Sequence, residues 1–574
     1  LRLAADLPPL ELEHMSGRIS VQLAGKGVVI NGKQVELATR ASDPATPATR
    51  IEPIDFHVDW QPQAKAAGGA GNASVSRLDI GALAQLARHL PLDARTRQLL
   101  AEYAPRGRVS MATAKWTGSA DALQTYSFKA AFEQMALKAQ GYFPGFSGLS
   151  GSVEASEAGG RVRLESHKSM LDLPGVFPVS LIDLDSLNAD VRWKVDKGAK
   201  EGNARGTLDV ELLRAEFAGP EAAGTARGKY RNIGSGPGII DLKAALSRAD
   251  ARAVWRYMPH EVGEGARLWL RDSLLAGTSN DAKLTLRGDL NDFPFLDKQK
   301  GEFLVTVKAR DVVLDYGKGW PRIDGIDGDL RFEGNGMIVE AQRGTLLGAK
   351  LSNTRAEIPD FDKPISTLLV KGRAEGPTSE FLKFIEQSPV AERIDRFTEN
   401  MRASGNGHLD LDLFIPLDEK KLGESKVEGT YSFKNNEVTV DSALPPIQQV
   451  NGSLKFSSND LRVPEISGVL FGGPVKIKGG TQKNGRVLID ASGTANIEQL
   501  RKQVKSPLID RLSGFASYRG EVLINKRDAD QVVESTLVGL ESSFPEPFAK
   551  AASATLPLRF EKKLLPAPVP AKAA

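Results

Sequence analysis

The chain has 574 residues, of which 41% are apolar, 26% charged and 6% aromatic, a balance that folds and is too apolar for disorder. Lys and Arg number 75 against 72 Asp and Glu, with no run of like charge, so a nucleic-acid footprint is not supported. The absence of cysteine removes disulfides, thiolate metal sites and cysteine nucleophiles, and no stretch approaches the roughly 20 apolar residues of a membrane-spanning helix.

The predicted elements begin with a β-rich segment over residues 1–78. A first repeat, 79–248, opens with helix, proline, helix: Asp79–Leu90, Pro91, Leu92–Tyr103, with Ile80, Leu83, Leu86 and Leu90 on one face. Alternating runs follow, such as Val162/Leu164 and Val191-Arg192-Trp193-Lys194-Val195, the period-2 mark of a strand with one apolar and one wet face. A second repeat, 249–374, starts at Ala251–Met258, Pro259, His260–Leu275 and continues into Leu284/Leu286 and Phe303/Val305/Val307. The third, 375–495, has Ser379–Gln387, Pro389 and Val390–Met401, where Val390, Ile394, Phe397 and Met401 predict one helical face. Its strands include His408–Pro416, with Leu409, Leu411, Leu413 and Ile415 opposite Asp410, Asp412 and Phe414, and then Val438/Val440. A partial fourth repeat, 496–563, has Ile497–Lys505, Pro507 and Leu508–Phe515, and the Pro/Ala-rich 564–574 reads as a tail. Gly107, Gly277 and Gly405 follow the helical segments, where the chain reverses into a strand and φ > 0 is expected.

A second frame recurs between the helical units. Pro144…Gly148…Gly151, Pro321…Gly325…Gly328 and Pro445…Gly452 each place a glycine seven residues after the proline. Proline suits the start of a strand and glycine a bulge or tight corner, so the glycine is expected to open a new alternating strand. Repetition at three sites with one spacing points to a repeated architecture. The predicted class is mostly β: an elongated, repeated antiparallel sheet with short helical hairpins set along it.

No chemistry converges. His14, His57, His89, His167, His260 and His408 stand singly, and His260-Glu261-Val262-Gly263-Glu264 has Glu where a zinc-binding helix needs its second His; the bland alternative is a pair capping a helix start. Gly219…Gly224-Thr225 lacks the lysine of a phosphate loop. Gly234-Ser235-Gly236-Pro237-Gly238 has a proline where a dinucleotide-binding helix would begin, and Gly145…Gly148 is one residue short of a nucleophile elbow. Asp324, Asp327 and Asp329 could suggest calcium, but Asx-turn residues feeding a strand explain them better. Asp410 and Asp412 share a wet face, unlike an acid–base couple. The expectation is a non-enzyme with no cofactor and no metal.

Residues 265–334 carry a resemblance. Trp269-Leu270, Leu286-Arg287-Gly288-Asp289-Leu290-Asn291-Asp292-Phe293-Pro294-Phe295, Tyr316 with Gly319-Trp320-Pro321, and Gly328-Asp329-Leu330 closely resemble the central region of the YhdP family, large AsmA-like proteins of Gram-negative envelopes. Phe384 through Ser388-Pro389 also fits, and the resemblance extends over most of residues 1–560. It implies a curved β sheet forming a U-shaped apolar groove, related to chorein-type bridge-like lipid carriers. It further implies conveyance of phospholipid between inner and outer membranes in support of the outer-membrane permeability barrier. The implied location is the periplasmic body of an inner-membrane-anchored protein, with outer-membrane or periplasmic protein partners. Since the sequence starts at Leu1, it is expected to be a piece of a longer chain, with any anchor outside it.

The physics is compatible. A diacyl lipid exposes roughly 30 methylenes at about 0.8 kcal/mol each, so desorption into water costs on the order of 25 kcal/mol. Roughly 40 strands spaced about 4.8 Å apart would extend on the order of 190 Å. The groove candidates are Leu284, Leu286, Phe303, Val305, Val307, Phe332, Leu409, Leu411, Leu413, Phe433, Leu454 and Phe456, with Lys283, Arg287 and Asp410 expected on the wet face. The alternative reading is an envelope scaffold or interaction protein of β-sandwich repeats, whose apolar faces seal together; a weaker third is a glycan-acting enzyme on a β scaffold.

Overall fold

The computed structural model describes residues 7–40, 48–62, 69–90, 92–119, 122–141, 143–196, 206–232, 236–440, 445–503, 506–525 and 528–563. Pro91, Gly234, Ser235, Lys505 and the tail 564–574 lie outside them. The protein is mostly β, 64% strand, with 28 strands among the described residues, fewer than the roughly 40 whose stacking was expected to extend the sheet. The difference lies in strand length. Leu181–Asp196 and Leu274–Asp289 each run 16 residues, and in the second Gly277 and Gly288 lie inside the strand.

The chain divides into two compact units, one made of Leu1–Asp272, Thr278–Lys308 and Phe332–Gly334, the other of Ser273–Gly277, Ala309–Arg331 and Asn335–Ala574. In the first, strands from Leu12–Ala24 to Leu274–Asp289 pair in chain order, each antiparallel to the next. In the second, the strands from Gly336–Leu346 to Asp528–Ser535 do the same. Neighbour-to-neighbour pairing gives each unit one sheet where a sandwich would give two facing ones.

Helical inserts follow strands ending at Asp79, Asp250, Pro377 and Asn496. Asp79 accepts from the Ala82 N–H, Asp250 from Arg252 and Asn496 from Gln499, at 2.9, 2.9 and 3.1 Å, the side-chain capping that starts a helix. The first insert, Ile80–Leu86, Ala87–His89 and Ala94–Tyr103, matches expectation, and Leu83 and Leu86 pack on Leu10, Leu12, Leu37, Ile51 and Ile54. The others are shorter than predicted. Ala251–Tyr257 is a 3-10 helix, before the α-helix Glu264–Ser273. The expected Val390–Met401 helix stops at Arg393, where Asp395 and Arg396 turn to φ 54° and 57°. Only Ile509–Arg511 of Leu508–Phe515 is helical, and Leu512 already begins a strand.

Both glycine readings need correction. The strands Gly145–Ser156, Ile323–Glu333 and Ile447–Ser457 begin one or two residues after their prolines, so the later glycines lie within them. Gly107 and Gly405, with φ 118° and 88°, likewise sit inside strands at register shifts. These are bulges, not reversals.

The bulges form an organised set. Gln134, Asp311 and Asn435 adopt φ of 51°, 50° and 50° in mid-strand, a costly conformation for residues other than glycine. Each N–H is accepted by a side chain sixteen residues on: Ser150 at 3.1 Å, Asp327 at 2.9 Å and Asn451 at 2.9 Å. Those acceptors directly precede the second glycines of the repeated Pro/Gly frames, so the frame encodes a bulge lock. Gln34, φ 51°, donates likewise to Asp55 at 2.8 Å. A bulge bends its strand and sharpens the twist, and this is what curves the sheet.

Candidate functional site

Directly opposed residues in an antiparallel pair point to the same side of the sheet, so the register assigns the candidates to faces. In the second unit, one row runs Ala374, Leu409, Tyr431, Leu454 and the next Gly372, Leu411, Gly429, Phe456. Leu413 lies between Val370 and Val427, and Phe433 between Gly407 and Gly452. All six candidates of that unit therefore share one face. In the first unit Leu286 stands opposite Leu242 and Leu284 opposite Ala244. The Phe295 ring lies over both Gly288 and Gly301, which puts the strand Gly301–Leu314, with Phe303, Val305 and Val307, on the same side. Phe332 stacks on Phe303 with ring centroids 5.7 Å apart.

None of the twelve candidates is buried and none is fully exposed. A sealed sandwich would bury such side chains, since protein interiors are close-packed. Here, among the described residues, the largest fully buried side chains are Val475, Asn436 and Ser166. The twelve side chains are partly accessible.

Rings on this face lie on their own sheet. A Cβ at Gly71 would meet Trp116 at 2.3 Å, at Gly160 Trp193 at 2.4 Å, at Gly429 Phe456 at 2.3 Å and at Gly32 Phe56 at 2.2 Å. Each glycine stands directly opposite its ring on the adjacent strand. A ring so placed covers backbone that a facing layer would otherwise cover. The result is a low, smooth apolar surface.

The helical inserts sit against this face. Phe381 of the helix Thr378–Glu386 packs on Tyr431 at 5.1 Å, and Tyr431 on Phe433 at 4.9 Å. The Tyr431 hydroxyl donates to Thr378 at 2.8 Å, and Thr378 donates to Asn436 at 3.2 Å. Burial pushes the Tyr431 phenol up to about 12 by disfavouring its charged form. Sequence reasoning missed Tyr431, whose alternation with Phe433 gave its only local signal. It also missed Trp60, Trp116 and Tyr126, which share the apolar side of the first unit.

The opposite face is charged. Lys283, Arg287 and Asp410 are exposed, as expected. Arg373 reaches Asp410 at 3.0 Å and Lys371 reaches Asp412 at 3.5 Å. Arg373 first, then His408, holds the Asp410 carboxyl below its ordinary value. Lys426 lies 5.8 Å from the centre of the exposed Phe414 ring. These are solvated cross-strand pairs.

The other motifs resolve into structure. Asp327 accepts from the Asp311 N–H and from Arg343 at 2.6 Å, Asp329 from Gln342 at 2.8 Å, and Asp324 pairs with Arg322 at 3.0 Å; they act across and along a strand, not in a turn. His260 precedes the helix that begins at Glu264 and hydrogen-bonds the Pro174 carbonyl at 2.9 Å instead of capping. Gly219 lies in the tight connection before the strand Ala222–Asn232, its carbonyl held by Arg248. Among the described residues no three His, Asp or Glu side chains gather as a metal site, and no helix is long and apolar enough to cross a membrane.

The family model for YhdP protein matches residues 1–569. The chain is 23% identical over 441 residues to the intermembrane phospholipid transporter YhdP of Escherichia coli (strain K12), covering 75% of this chain and 33% of that protein. It thus spans about a third of the length of that curated relative. No solved structure gives a significant match.

Proposed function

We propose that this chain, which belongs to the YhdP family, carries phospholipid acyl chains along the apolar faces of its sheets and so conveys lipid between the inner and outer membranes. No bond is made or broken. The protein supplies an apolar surface that removes the roughly 25 kcal/mol desorption cost of a diacyl lipid, while headgroups stay in water. On this reading the body works in the periplasm, is tied to the inner membrane through an anchor, meets outer-membrane or periplasmic protein partners and supports the outer-membrane permeability barrier.

The observation that carries the reading is the partial exposure of all twelve candidate side chains, with rings laid over glycines of the same sheet. Curvature from the locked bulges favours a trough over a flat surface. The printed function of the Escherichia coli relative agrees with a lipid cargo.

Native mass spectrometry of the gently purified chain tests the proposal. Co-purified phospholipid, removed by delipidation and restored by incubation with phosphatidylethanolamine vesicles, is the expected result. A lipid-free protein that takes up none would point instead to the scaffold reading.

A further inference from the structure

The apolar face of the first unit is not uniform. One row across its strands runs Leu23, Val28, Trp60, Gly71, Trp116, Tyr126, and the neighbouring row runs Val21, Ile30, Val58, Ala73, Ala114, Phe128. The strand between the tryptophans, Gly69–Asp79, offers only Gly69, Gly71 and Ala73 at its near end. A Cβ at Gly69 would meet the Trp60 ring nitrogen at 2.7 Å and one at Gly71 the Trp116 ring at 2.3 Å. The two indoles therefore lie over the glycines of this strand, and the next two strands, beginning with that of Trp116, carry the concave part of the face. Trp60, Ala114, Trp116, Leu123, Tyr126 and Phe128 line a concavity of about 660 Å³, together with Lys115, Ser119 and Ser127, within the roughly 300–1,000 Å³ of small-ligand sites. Tyr126 and Leu123, 41% and 51% exposed, form its mouth.

We propose that this cleft is a discrete resting station for one acyl chain, a place where lipid dwells. The inference rests on the lipid-carrying reading above and narrows it to named residues. Most of its lining is ring faces and the aliphatic groups of Ala114 and Leu123. The adjoining row of Ile30, Val58, Ala73, Ala114 and Phe128 prolongs it as a strip. That lining takes an unbranched hydrocarbon.

The test uses phosphatidylethanolamine with one dibrominated acyl chain, whose bromines quench tryptophan fluorescence on contact. The six tryptophans allow two full-length variants, one keeping only Trp60 and Trp116 and one keeping only Trp193, the others changed to phenylalanine. Trp193 lies on the same apolar face, over Gly160, and reports ordinary groove. Quenching of the Trp60/Trp116 variant should reach half-maximum at about fivefold lower lipid concentration than that of the Trp193 variant. Ala114→Phe, which fills the concavity, should remove that advantage and leave Trp193 quenching and circular dichroism unchanged. Equal half-points overturn the station while leaving the groove intact. Absence of quenching in both variants overturns the station and the lipid-carrying reading together.

Discussion

Replacing Leu411 by aspartate puts a carboxylate in the middle of the apolar face of the second unit. The residues directly opposite Leu411 are Gly372 and Gly429, and Leu411 is itself partly exposed, so the new carboxylate keeps contact with water. The cost to folding is that of losing a half-buried leucine, about 1–2 kcal/mol. The cost to a passing lipid is larger. An acyl chain crossing this row sets about four methylenes against a hydrated charge, which at about 0.8 kcal/mol each is on the order of 3 kcal/mol. That lowers occupancy of the row by about two orders of magnitude. The assay is transfer of fluorescent phosphatidylethanolamine between donor and acceptor vesicles, with melting followed by circular dichroism. Thr430→Lys, on the charged face beside Asp410, is the control and should transfer normally. A folded Leu411→Asp protein that transfers lipid at the unaltered rate would refute the reasoning, because the face would then not be the route.

Three further outcomes follow from the geometry. At the bulge lock, Asp327→Asn should keep the contact to the Asp311 N–H, as Asn451 does naturally, but lose the ion pair to Arg343, and so lower the urea midpoint at neutral pH less than Asp327→Ala. The Asp311 N–H and Arg343 hold the Asp327 carboxyl below its ordinary value, so its contribution is present above about pH 4 and is lost as pH falls through the folded-state value; Asp327→Asn should flatten that dependence in urea titrations across pH 2–6. Tyr431→Phe removes the hydrogen bond to buried Thr378 and should cost about 1 kcal/mol in denaturant unfolding, with faster amide exchange in Thr378–Glu386. Gly429→Ala drives a methyl to within 2.3 Å of the Phe456 ring and should cost about 1–3 kcal/mol, visible as a lower melting temperature; an unchanged value would mean that the ring is free to lift.

Period-2 alternation by itself determined which side chains share a face. Leu409, Leu411 and Leu413 are spaced by two, and antiparallel pairing carries that parity to Phe433, Leu454 and Phe456. The helical inserts were legible because they combine apolar spacing with prolines, although Phe397 and Met401 kept helical spacing beyond the point where Asp395 leaves the helix. A locked bulge was not legible. Ser150, Asp327 and Asn451 act on residues of the preceding strand, and nothing local tells a bulge glycine from a turn glycine. Only the tertiary structure decided whether the apolar faces close or stay open. That outcome depends on what lies across from each side chain: for Trp116 and Phe456 it is a glycine of the adjacent strand, over which the ring lies.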